Sequence, residues 1–127
     1  MSDEEHKRLV KGLIDYFDSK GYKIVSADYE NFEKCQPIGS HEPDVIAYHM
    51  DDDIYNIGEA KTCDELDSEK TREQFEDFGN TVLNKIGSER KFLPFCIAVP
   101  KECMEKLEMK IEECGLSQNG NIQPLGF

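Results

Sequence analysis

The stretch DVIAYHMDDDIYNIGEAKT, residues 44–62, decides how this chain folds. Its flanks, 44–50 and 54–62, are apolar and rich in β-formers, and Asp51, Asp52 and Asp53 separate them. That pattern predicts two antiparallel strands joined by a turn, because Asp bonds its own backbone locally and sits well in solvent. The aspartate run is not expected to hold calcium, since it lacks the spaced ligands and glycine of a calcium loop. In the second flank Glu59 and Lys61 stand two apart, so both project from one face of the strand. As an exposed ion pair they would contribute less than about 1 kcal/mol and need no function. Folding the hairpin about Asp52 sets Asp44 across from Ala60, between Glu59 and Lys61. A bulge shifts such a register by one residue, so the spacing predicts proximity rather than orientation.

Periodicity places the remaining elements around this hairpin. Leu9, Val10, Leu13, Ile14 and Phe17 recur at helical spacing ahead of Gly21, which predicts a helix over about residues 3–20. Gly12 in its interior weakens it slightly. YKIVSADY (22–29) reads as a strand, followed by an irregular stretch with two prolines, ENFEKCQPIGSHEP (30–43). From Ser68 to Ile86 the spacing is helical again, with Phe75, Phe78, Val82 and Ile86 on one face, Gly87 closing it, and Asp67 or Ser68 as N-cap. PFCIAV (94–99) suits a strand covered on both faces. Pro100 opens a helix striped by Met104, Leu107, Ile111 and Cys114, with Gly115 past its end. NIQPLGF (121–127) is expected at a sheet edge, because Pro124 cannot donate to a ladder. The order α-β-β-β-α-β-α-β predicts an α/β fold, a mixed central sheet flanked by helices, in one domain over residues 1–127.

The chain carries 15 basic and 27 acidic residues, a net charge of −12. Such a field repels polyanions, so any nucleic-acid function requires local clustering of positive charge. Lys61, Lys70 and Arg72 follow one another on the hairpin side, and Lys70 and Arg72 read as substrate-binding; Lys7, Arg8 and Lys11 lie on the first helix. No basic tail, helix-turn-helix or triphosphate-binding loop is evident. No apolar run reaches membrane-spanning length, and MSDEEHKR is neither a secretory nor a transit sequence, so the cytoplasm is the expected location. The five cysteines, with no C-x-x-C pair, predict neither a disulfide framework nor a zinc ribbon, and they read as reduced residues, Cys96 and Cys114 in the core.

Two carboxylates and an amine at one end of a hairpin suit magnesium chemistry. Magnesium takes one or two carboxylates and keeps positions for water and phosphate. A lysine beside it can orient the water or stabilise transition-state charge.

Pro43-Asp44 followed by Glu59-Ala60-Lys61 resembles the signature of the PD-(D/E)XK nuclease superfamily, which includes archaeal Holliday junction resolvases and many restriction endonucleases. The likeness covers about residues 3–100 and implies a restriction endonuclease-like α-β-β-β-α-β core, here extended by a C-terminal helix and short strand. It implies that Asp44 and Glu59 are metal ligands and Lys61 the catalytic lysine. A first-helix glutamate, for which Glu5 is the nearest candidate, would be a further ligand. Gln74, with Phe78 four residues on, is similar to a pair that some relatives carry on the next helix. The implied activity is divalent-metal-dependent hydrolysis of DNA phosphodiesters, of a structure-selective kind, with Mg2+ as cofactor and Mn2+ able to replace it. The implied partners are branched or single-stranded DNA and a second copy or partner subunit. The alternative is a non-cleaving binding module on the same fold, or a nuclease subunit that needs a partner. His41 and Glu42 offer a spare ligand or base, whereas His6 and His49 read as surface or half-buried residues.

Overall fold

The computed structural model describes residues 2–81 and 92–127. Helix α1 (Ser2–Ser19) is followed by β1 (Lys23–Ala27), β2 (Val45–His49) and β3 (Ile54–Ala60). Then come α2 (Glu69–Gly79), β4 (Phe95–Val99), α3 (Met104–Glu113) and β5 (Ile122–Gly126), in the order the periodicities predict. The five strands form one sheet in sequence order. β1, β2 and β3 pair antiparallel, and β4 and β5 join in parallel, giving a mixed sheet with Pro124 on the edge strand. No helix among the described residues is long and apolar enough to cross a membrane.

Alternation along β3 and β4 sorts the core into two layers. Ala47, Ala60, Cys96 and Ala98 pack with Leu9, Val10, Leu13 and Phe17 of α1. Ile57, Phe95, Ile97 and Val99 pack with Phe75 and Phe78 of α2 and Leu107 and Ile111 of α3. Small residues therefore floor α1 and large ones face α2 and α3. Gly58 completes the small floor: a Cβ there would lie 3.2 Å from the Phe17 ring and 3.3 Å from Val45. Gly12 has a related reason, because a Cβ on it would meet the Phe127 ring at 2.8 Å. Phe78, which the sequence pairs with Gln74, is fully buried against Phe95, with ring centroids 5.7 Å apart.

Three expectations need correction. The hairpin is one residue tighter than folding about Asp52 implies: Val45 faces Gly58 and Ile46 faces Ile57, which brings Asp44 opposite Glu59 rather than Ala60. Asp53 in the turn adopts a left-handed φ of 55°, a local geometry that periodicity does not encode. The second helix starts where expected, with Ser68 accepting from Thr71 N–H, but ends at Gly79 instead of Ile86. There the Gly79 carbonyl accepts from the side chains of Asn119 and Asn121, so a tertiary cap stops the helix. Val82, Ile86 and Gly87 lie outside the described residues. Finally, Cys63 and Cys103 form a disulfide, whereas the sequence reads every cysteine as reduced. Their 40-residue separation leaves no local spacing signal to find.

Two stability predictions follow from this packing. Gly58→Val should overfill the space under Phe17 and cost about 1–3 kcal/mol in urea unfolding. Reducing the Cys63–Cys103 bond should lower stability by about 4 kcal/mol on the loop-entropy scale, and Cys63→Ser should abolish that redox difference.

Candidate active site

Three strand ends meet at one end of the sheet. Asp28 leaves β1, Asp44 enters β2, and Glu59, Ala60 and Lys61 leave β3. Asp28 N–H donates to the Asp44 carbonyl at 2.7 Å, and Asp44 N–H to the Gly58 carbonyl at 3.1 Å. The Asp44 side chain is held as firmly: Oδ2 accepts from Ala60 N–H at 2.9 Å, and Oδ1 lies 3.3 Å from His6 Nε2 on α1. Lys61 Nζ donates to Gln74 Oε1 on α2 at 2.5 Å and sits 3.8 Å from Glu59 Oε2. Glu59 is 2% exposed, Lys61 5%, Gln74 7% and Asp44 8%, so none of these side chains is an ordinary solvated surface residue. They line a cleft of about 540 Å³ together with His6, Asp28, His41, Glu65 and Lys70.

Electrostatics divides the two carboxylates. Burial, reinforced by the Asp44 charge and a hydrogen bond with Asp44, pushes Glu59 well above the ordinary carboxylate value, while Lys61 opposes the shift. Burial also works to raise Asp44, but the His6 hydrogen bond, a hydrogen bond with Glu59 and the Ala60 amide outweigh it and hold Asp44 low. The hydrogen bond to Asp44 in turn raises His6, against the effect of its own burial. The two adjacent carboxylates out of water are thus pushed apart, so that a proton on the pair is favoured on Glu59 over Asp44.

The same pair fits a divalent cation. Glu59 Oε1 is buried and meets no hydrogen-bond donor among the described residues. An unpaired carboxylate oxygen out of water is costly, so either a proton or a cation is required beside it. His6, Asp28 and Asp44 each offer a ligand atom, all within 4.8 Å of one another. A site of carboxylate oxygens and one imidazole suits magnesium or manganese, the nitrogen adding affinity for the transition metal.

The expected residues divide into two groups. Asp44, Glu59, Lys61 and Gln74 come together, and Lys70 lines the same cleft. Glu5 does not line it; the first helix delivers His6 instead. Arg72 also lies elsewhere, its Nε bonded to Glu76 Oε1 at 3.1 Å one helical turn along α2. Successive helix residues point in different directions, so sequence proximity to Lys70 does not carry Arg72 to the cleft. His49 stacks on Tyr22 far along β2, with centroids 4.4 Å apart. His6 was legible: with Leu9, Val10 and Leu13 it occupies positions i, i+3, i+4 and i+7, extending the buried stripe by one polar turn. Asp28 carries no comparable signal.

The Glu59 shift fixes the sign of a pH effect. A carboxyl that titrates above 4.5 in the fold contributes stability that is full below pH 4.5 and lost as pH rises through the folded value. Glu59→Gln should therefore raise the thermal midpoint at neutral pH, and the gain should vanish toward pH 4.5, as thermal unfolding across that range would record.

Compared with models of protein families, with characterised proteins and with solved structures, the chain matches none of them.

Proposed function

We propose that this protein is a divalent-metal-dependent nuclease that hydrolyses DNA phosphodiesters on a restriction endonuclease-like core. The observation that carries this reading is the convergence of Asp44, Glu59, Lys61 and Gln74 in one cleft, with Glu59 Oε1 buried and without a donor among the described residues. The element order α-β-β-β-α-β, with an antiparallel meander followed by a parallel crossover, supports the same fold.

His6, Asp28 and Asp44, whose ligand atoms lie within 4.8 Å of one another, would hold Mg2+ or Mn2+, with Glu59 opposite Asp44 across the hairpin as the carboxylate that the resemblance adds. A bound ion of this kind neutralises charge on a phosphate and lowers the pKa of its water. The chain's own residues do the positioning. Lys61 is fixed from two sides by Gln74 and Glu59, so its ammonium points to one place without reorganisation. There it orients the attacking water and stabilises charge developing on the phosphate. Lys70, exposed at the mouth of the cleft, is placed to meet a flanking phosphate. The Lys61–Gln74 bond makes Gln74 a positioning residue for that ammonium.

A second reading is favoured by charge. Asp28, Glu42, Glu65, Glu73 and Asp77 surround the cleft or its neighbouring helix, and the chain carries −12 overall. A long duplex needs a track of phosphate contacts, and Lys61 and Lys70 supply two. A basic partner subunit, or a second copy that aligns two such clefts, would deliver the polynucleotide.

Purified protein with Mn2+ or Mg2+ at low salt should cleave at least one of branched, single-stranded or duplex DNA. Asp44→Ala and Lys61→Ala should each lower the rate by about 10²–10⁴-fold while retaining a cooperative thermal transition. Cleavage by the wild type that persists in chelator, or that both variants match, would refute the metal-site reading. Inactivity of the wild type on every substrate would favour the partner-dependent or non-cleaving module.

A further inference from the structure

Resting on the nuclease reading, we infer that His41 is a second catalytic residue, the acid that gives a proton to the departing sugar oxygen. Its ring lies in the wall of the cleft that holds Asp44, Glu59 and Lys61, and its side chain is 16% exposed. The loop that carries it is built onto one carboxylate. Asp77 Oδ2 on α2 accepts from Ser40 N–H at 3.1 Å and lies 2.9 Å from His41 Nδ1. Gly39, one residue earlier, has a left-handed φ of 66°, and a Cβ there would fall 2.8 Å from the Asp77 carboxylate. Three consecutive residues are therefore shaped around Asp77, and the outcome of that shaping is the orientation of one imidazole.

The hydrogen-bond chemistry settles which nitrogen is active. Asp77 is held below the ordinary carboxylate value by its hydrogen bond to His41, with the Ser40 amide adding to the effect. A charged carboxylate only accepts, so Nδ1 keeps its hydrogen and Nε2 is left to exchange a proton. The Nε2 atom lies 3.7 Å from Glu73 Oε2, too far for a hydrogen bond. Asp77 and Glu73 on α2 lie against the ring, and Glu42, Asp44, Glu59 and Lys61 line the same cleft.

The other imidazole in the cleft has a different place. His6 belongs to the metal-holding group with Asp28 and Asp44, and His41 does not. Lys61 is committed to Gln74 and Glu59. What the reaction still lacks is a donor for an alkoxide, a poor leaving group unless protonated. Water oxygen forms the new bond to phosphorus as the bond to the sugar oxygen breaks. The bonding pair leaves on that oxygen, which takes the proton from Nε2. The surplus proton of the attacking water passes to solvent, and solvent restores Nε2 before the next turnover.

Leaving-group substitution tests this directly. Two oligonucleotides are compared in Mn2+, one natural and one with sulfur replacing the bridging oxygen of the bond that the wild type breaks, located from the product ends. A thiolate leaves without protonation. His41→Gln should slow the natural substrate by about 10²–10⁴-fold yet keep the sulfur substrate within about threefold of wild type. Asp77→Asn should show a smaller loss with the same selectivity, as a positioning residue would. Equal slowing on both substrates, or no slowing on either, would overturn the assignment. Matching oligonucleotide affinity in EDTA would confirm that His41→Gln retains the cleft. If the wild type cleaves neither oligonucleotide nor any other DNA, the reading of this protein as a nuclease on its own fails, and the role of His41 falls with it.

Discussion

Two carboxylates held side by side out of water are the constraint around which this molecule is arranged. Asp44 and Glu59 come together because β2 and β3 pair in one register, in which Val45 faces Gly58. A slip of one residue would turn Glu59 toward the α1 floor, where the neighbours are Ala47, Ala60 and Ala98. The aliphatic pairs across the hairpin therefore fix the electrostatics of its end. His6 from one side of the sheet and Lys61 with Gln74 from the other then tune a pair that could not both stay ionised alone.

Much of this was legible in the residues themselves. The continuous apolar run of PFCIAV and the apolar, β-forming IYNIGEAKT identify strands, and the stripe from Leu9 to Phe17 identifies a helix, because burial enforces those patterns. Asp44, Glu59 and Lys61 could be grouped because a hairpin brings them near by short connections, whereas Gln74 joined them only through the resemblance. What escaped has a common cause, namely partners distant in sequence. Asp77 clasps the 39–41 loop, Asn119 and Asn121 end α2 at Gly79, and Cys63 meets Cys103, each across 36 residues or more. Glu5 and Arg72 stand outside the lining of the cleft for a different reason. Glu5 was taken as the first-helix glutamate that the resemblance implies and Arg72 for its nearness to Lys70, while helix geometry sets a neighbour, His6 or Lys70, in the lining instead.

The acidic surface and the cleft belong to one electrostatic design. Under the proposed function, a chain of −12 would meet a polyanion only where local charge is inverted, and in the cleft Lys61 and Lys70 supply that inversion together with any cation the carboxylates would hold. Under that reading such an arrangement would penalise extended, indiscriminate binding and leave short contact at a reacting phosphate. Selectivity would then come from who brings the strand and how it is bent, with little contribution from general affinity.

The glycine and alanine floor beneath α1 gives that helix the character of a close-fitting axle. Its distance from the sheet is set by Gly58 and its neighbours, and its rotation by the Phe127 ring seated over Gly12 and by Arg8 Nη1 bonded to the Phe127 carbonyl at 3.1 Å. His6 rides on the same axle within one turn of Arg8. Residues at the far edge of the sheet, after β5, thus act as a stop that keeps an imidazole aligned with a carboxylate they never touch.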